Sequence, residues 1–209
     1  ALYQMQYNHF NQCLEETIPR TLKENPNKFY ESVVGNKIYS YRFLFEDCEY
    51  HGNDVIQARN VTIVSKTKDL PFNNNAFDTI VSTECFEHDP EYKESFQKIY
   101  DMLKPDGLFC FTCASTGRAE HGTRRTTPHD SYGTIGKLED MSDYYKNLTE
   151  QDLNSVLPLN DLFSVWDTYY NMQSNDLYFV GIKKGISTYD TLTKYENTGV
   201  ICTTTNITG

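Results

Sequence analysis

Two stretches of this 209-residue chain concentrate side chains that can take a proton or hold a charge. The first is Glu84-Cys85-Phe86-Glu87-His88-Asp89. The second runs from Arg118 through Glu120, His121, Arg124 and Arg125 to His129. Imidazole ordinarily titrates near neutrality, so His88 and His121 are the candidate bases for removing a proton from an acceptor group. The competing reading of His88 is a side chain that caps or packs the start of the next helix. Glu84 and His88 are four apart and would share a helical face, which also permits a metal site with Glu87, Asp89 or His121. No tight carboxylate cluster is evident, so no metal ligand is assigned, and magnesium stays an alternative. Arg118, Arg124 and Arg125 stand out in a chain of net charge −10. Their guanidiniums suit hydroxyls, a carboxylate or a phosphate of an acceptor. Tyr132, with Tyr144 and Tyr145, offers flat faces that stack on a sugar ring. The competing reading is a solvated loop paired with surface acids.

Elements of known period must position these groups. Phe77 to Val81 reads as a strand, Glu91 to Leu103 as a helix closed by Lys104-Pro105-Asp106-Gly107, and Leu108 to Ala114 as a further strand. A strand, a crossover helix and a strand make a βαβ unit, which implies a parallel sheet. Ligands bind such sheets at the carboxyl ends of the strands. Both chemical stretches lie there, after Val81 and after Ala114. Upstream, Tyr3, Tyr7, Phe10, Leu14 and Ile18 give a leading helix its apolar face, ended by Asn25-Pro26-Asn27. Strands are read at Phe29 to Val34, Cys48 to Val55 and Val61 to Lys66. Residues 115–146 show no apolar period and form a long loop on the acceptor side. Thr149 and Asp152 make a capping-box pattern for a short helix. Leu162 to Tyr170 and Asp176 to Ile182 alternate like an antiparallel hairpin. Residues 1–184 therefore read as one domain and 185–209 as a polar tail or linker.

The bulk properties narrow the partners. An acidic surface repels phosphate backbones, so nucleic acid is not expected as a partner. No apolar run is long enough to span a membrane. The first residues lack the basic and apolar regions of a signal peptide, and six cysteines in a chain of this size make no disulfide framework, so a cytoplasmic protein with reduced thiols is expected. Cys110 and Cys113 match C-x-x-C, but residues three apart on a strand point to opposite faces, so they are read as structural. The start without Met and the Thr-rich end read as one module of a longer protein.

The run Asp69 to Gly107, together with CASTGRAEHGT and DYYKNLTEQDL, resembles the class I, Rossmann-like, S-adenosylmethionine-dependent methyltransferases. Within them it is similar to a type-11-like subgroup associated with polysaccharide and glycan biosynthesis. The resemblance covers about residues 28–183 and is specific from 69 to 153. It implies an α/β fold with a seven-stranded, mostly parallel sheet flanked by helices and ended by an antiparallel hairpin. It also implies S-adenosylmethionine as cofactor, S-adenosylhomocysteine as product, and O-methylation of a sugar hydroxyl on a glycan or a small-molecule acceptor, with glycosyltransferases as working partners. Methylation of another acid, amine or lipid headgroup is the alternative, as is a binding module that has lost activity. By position, Asp54 would hold the ribose diol and Glu31 the donor's ammonium, with Gly35 allowing close backbone approach. Lys66, Thr67, Thr83 and Glu84 would line the donor pocket. Two departures stand out. The glycine turn keeps only Gly35, and Lys66 stands where the family often places an acid that accepts from adenine.

Overall fold

The computed structural model describes residues 48–58 and 61–186, together with the backbone of 202–208. The leading helix, the strand expected at Phe29 to Val34, and the candidate donor residues Glu31 and Gly35 lie outside the described residues. In chain order the elements are β1 (Cys48–Asp54), β2 (Ile63–Val64), β3 (Phe77–Thr83), α1 (Tyr92–Met102), β4 (Leu103–Ala114), α2 (Tyr132–Ile135), α3 (Glu150–Val156), α4 (Leu159–Leu162), β5 (Phe163–Asn171), β6 (Asp176–Lys183) and β7 (Cys202–Thr208).

The seven strands form one mixed sheet in the order β2-β1-β7-β3-β4-β6-β5. The ladders from β2 to β4 are parallel; β6 runs antiparallel to β4 and to β5. The hairpin was legible because Asn171 to Asn175 separates two alternating runs. Two elements differ from expectation. The segment read as a polar tail contributes β7, a strand between β1 and β3; a Thr-rich run carries β-propensity without an apolar alternation to announce it. The strand β4 also begins at Leu103 instead of Leu108, because Leu103 pairs with Phe77 directly after the helix ends. Asp106, at φ 62°, makes the irregular turn within it.

The core lies where α1 crosses β3 and β4. Tyr92, Phe96, Ile99 and Met102 recur at helical spacing and are buried. Phe96 meets Phe86 at 4.4 Å between ring centroids and Phe111 at 5.4 Å, and Phe111 stacks on Phe179 of β6 at 5.3 Å. Phe109, Phe111 and Cys113 join this cluster, whereas Cys110 is buried outside it, as alternation along a strand requires. Cys113 is a free thiol.

The helix α3 starts with the expected capping box. The Thr149 hydroxyl accepts from the Asp152 N–H, and the Asp152 carboxylate accepts from the Thr149 N–H at 3.0 Å. Lys146 adds a 2.6 Å bond to the same Asp152 side chain. Thr149→Ala is expected to lower stability by about 1 kcal/mol, read from the urea midpoint at constant slope. A loss within error would mean that Lys146 alone holds the helix start. Among the described residues no helix is long and apolar enough to cross a membrane.

Candidate functional site

Three parallel strands end at one edge: β1 at Asp54, β3 at Thr83 and β4 at Ala114. Asp176, the first residue of β6, sits at the same edge opposite Ala114. Two adjacent environments are built here.

The first is a cavity lined by Asn53, Asp54, Val55, Ser65, Lys66, Thr67, Cys85, Asp89 and Met141. Asp54 Oδ1 accepts from the Val55 N–H at 2.7 Å, while Oδ2 has no partner. Burial pushes this carboxyl up to about 7, against the smaller lowering effect of the Val55 bond. A buried carboxylate with one free oxygen is suited to a pair of hydroxyls. The structure therefore brings Asp54, Lys66 and Thr67 to one cavity. Lys66 pairs its amine with Glu91 at 2.7 Å and with Asp140. Met141, from the long loop, also lines the cavity. No periodicity in the loop pointed to it.

The second environment is the turn after β3. Glu84 adopts a left-handed φ of 48°, a costly conformation for a residue with a Cβ. Its N–H donates to Thr112 O at 2.8 Å, and its side chain accepts from the Thr112 hydroxyl at 2.9 Å. The turn then splits its residues. Cys85 and Asp89 face the donor-type cavity, while Glu87 and His88 join a cluster with His121 and Tyr145. The His88 and His121 rings are 4.9 Å apart, and Tyr145 lies 5.8 Å from His88 and 4.9 Å from His121. His121 Nδ1 lies 3.1 Å from Ala119 O. As donor to that carbonyl it leaves Nε2 with the free lone pair.

The long loop is tied by its backbone to this turn and to the end of β4. Lys146 N–H donates to Glu87 O at 2.9 Å, and Leu148 N–H to Ala114 O at 2.9 Å. Gly122 is needed for its size and its φ of 69°, since a Cβ there would stand 2.5 Å from His88 Cε1.

The cluster is acidic and largely buried. Glu87 is fully buried; the Glu84 carboxyl, its own N–H and the Ala114 N–H are its polar neighbours, none of them at full hydrogen-bond geometry. Burial, then the neighbouring Glu84, pushes Glu87 well above the usual carboxylate range. Glu84 is pushed up to about 7 by burial and then by Asp176. His88 is held down at about 3 by burial and then by His121. Asp89 belongs elsewhere: it accepts from the Ser95 hydroxyl at 2.5 Å and from the Glu91 N–H at 2.8 Å, fixing the entry to α1.

The remaining sequence candidates are dispersed. Arg118 reaches Asp176 at 2.9 Å and the Ser174 carbonyl at 2.7 Å, beside the acidic cluster. Arg124 binds Asp143 and Glu139, and Arg125 binds Glu120 and the Asp143 carbonyl, so both knit the loop to itself. Tyr132 opens the short α2 and is not brought to the histidines. Thr83 is buried with its hydroxyl unpartnered, at the end of β3 and outside the cavity lining. Asp176 was missed by the sequence reading, because only the β4–β6 register places it here.

Residues 31–111 match the family described as "Methyltransferase domain". Phosphoethanolamine N-methyltransferase 2 of Caenorhabditis elegans is 34% identical over 56 residues, which are 27% of this chain and 13% of that protein. The match thus spans only a small part of that relative's length. Among solved structures, the chain is similar to the 1,6-didemethyltoxoflavin-N1-methyltransferase of Burkholderia thailandensis, which has S-adenosylhomocysteine bound. The identity is 13%, the TM-score 0.48, and the coverage 85% of this chain and 90% of that one. It is also similar to phosphoethanolamine N-methyltransferase 2 of Haemonchus contortus in complex with S-adenosyl-L-methionine. Here the identity is 14%, the TM-score 0.38, and the coverage 57% and 36%.

Proposed function

We propose that this chain is an S-adenosylmethionine-dependent O-methyltransferase whose acceptor is a sugar hydroxyl of a glycan or glycan precursor. One observation carries the reading: the single turn Glu84 to Asp89 faces the cavity of Asp54, Lys66 and Thr67 with Cys85 and Asp89, and a histidine pair with Glu87 and His88. The family match over residues 31–111 supports methyl transfer as the chemistry. Asp54 would hold the ribose diol, and the backbone around Lys66 and Thr67 would meet the adenine. The donor carries its own activation in the sulfonium, so the protein's contribution is placement and proton removal. The acceptor oxygen forms its bond to the methyl carbon as the carbon–sulfur bond breaks, and S-adenosylhomocysteine leaves.

A neutral hydroxyl has to give up a proton in that step, and an imidazole lone pair beside the donor provides for it. His121 suits this role better than His88. It is half-buried and its Nε2 is free, whereas His88 is enclosed by Gly122 and Tyr145. Glycosyltransferases would be the enzymes that build the acceptor.

Incubating the purified chain with S-adenosylmethionine and separate panels of sugars, amines and carboxylic acids tests the acceptor class by mass. A methyl gain on a sugar hydroxyl is the expected result. Methylation confined to amines would overturn the hydroxyl reading and leave the methyltransferase reading standing. The phosphoethanolamine N-methyltransferase segment that matches this chain makes that panel necessary.

A further inference from the structure

Glu87, His88 and His121 each present one ligand atom, and these atoms lie within 4.8 Å of one another. We propose that they form a binding site for a divalent first-row transition cation, with Glu84 alongside Glu87 as a further carboxylate. Atoms about 2.1 Å from one ion stand roughly 3 to 4.2 Å apart, so the observed spread requires only a small turn of the half-exposed His121 ring.

Three features point to a ligand. Glu87 is fully buried with no fully formed hydrogen bond to its carboxylate oxygens, and its neighbouring side chain is a second carboxyl, Glu84; a buried acid pair of this kind either holds a proton or binds a cation. His88 is 5% exposed, and its Nδ1 also has no partner. His121 gives its other nitrogen to a backbone carbonyl, as a metal-bound imidazole does to fix its tautomer. Two imidazoles with carboxylate suit manganese, iron, cobalt or zinc better than calcium or magnesium.

This inference deepens the hydroxyl-transfer reading. An ion held here would bind the acceptor oxygen and make its proton easier to lose, and that proton would then leave to solvent instead of to His121.

The test is Mn2+ binding to the chain without any acceptor, read from loss of the free-ion electron paramagnetic resonance signal. We expect one site per chain, weakened at least 10-fold in both His121→Ala and Glu87→Gln. S-adenosylhomocysteine affinity reports that each variant is folded; if Glu87→Gln does not fold, His121→Ala carries the test alone. No Mn2+ uptake at millimolar ion by donor-binding protein, or uptake unchanged in His121→Ala, overturns the site. The two readings separate cleanly. Mn2+ binding without any methylated sugar keeps the site and removes the sugar acceptor. Sugar methylation that persists in a chelator, without Mn2+ binding, does the reverse.

Discussion

Asp54→Ala is expected to weaken S-adenosylhomocysteine binding by about 100-fold at pH 8, measured by calorimetry. A hydrogen bond to a charged group is worth about 1.5 to 3 kcal/mol, and a ribose diol makes two. Part of that gain offsets the cost of ionising a carboxyl that burial holds at about 7. The same burial sets a pH dependence. If the ionised form binds the diol, affinity falls about tenfold per unit below pH 7 and levels off above it. Stability runs the other way. Asp54 has a folded pKa of about 7 against 3.8 when free, so the native state holds a proton that the unfolded chain has lost. Its contribution is full below pH 3.8 and is lost as pH rises through 7, a change on the order of 4 kcal/mol in the unliganded protein. Asp54→Asn should flatten both profiles. A variant that binds the product as the parent does, or a parent with no pH dependence between 6 and 8, would move the ribose away from Asp54.

The sequence made part of this site legible, for reasons that can be stated residue by residue. The period-2 and period-3.6 patterns of Phe77 to Ala114 announced β3, α1 and β4, and with them the edge where Glu84, His88 and Ser115 emerge. Asp54 was found by its place at a strand end, and it lines the cavity. Spacing could not show the division of labour inside Glu84 to Asp89, because the six residues of a turn follow no period. Nor could it show that Asp89 is occupied by Ser95 and Glu91, which removes it from the metal candidates. Arg124 and Arg125 stood out by charge against an acidic background. Charge says nothing of partners, and their partners here are acids of the same loop. Asp176 and Tyr145 arrive through a sheet register and a loop path, neither of which a linear pattern encodes.

His121→Ala is expected to lower methyl transfer by 10²- to 10⁴-fold, the range for removing a positioned general base, while donor affinity stays within about twofold of the parent. The separation follows from geometry. His121 is absent from the lining of the cavity that holds Asp54, Lys66 and Thr67, and its ring meets His88 of the turn beside that cavity. Truncation leaves no buried orphan beyond the Ala119 carbonyl, which lies in an exposed segment, so the fold should survive. Full turnover in the variant would remove His121 from the chemistry. A matched loss of donor binding would mean that the loop had collapsed onto the cavity through Met141. Two rescue experiments then distinguish what the ring does. Added imidazole restoring rate with a pH profile of its own identifies a proton acceptor, since a freely diffusing base replaces the lost lone pair. Rate restored by raised Mn2+, with no response to imidazole, identifies a ligand, because a weakened ion site is refilled by mass action. His88→Ala is the paired control. Its ring is packed under Gly122 and against Tyr145, so its removal should reduce stability as well as rate, with the stability loss seen in the absence of any substrate.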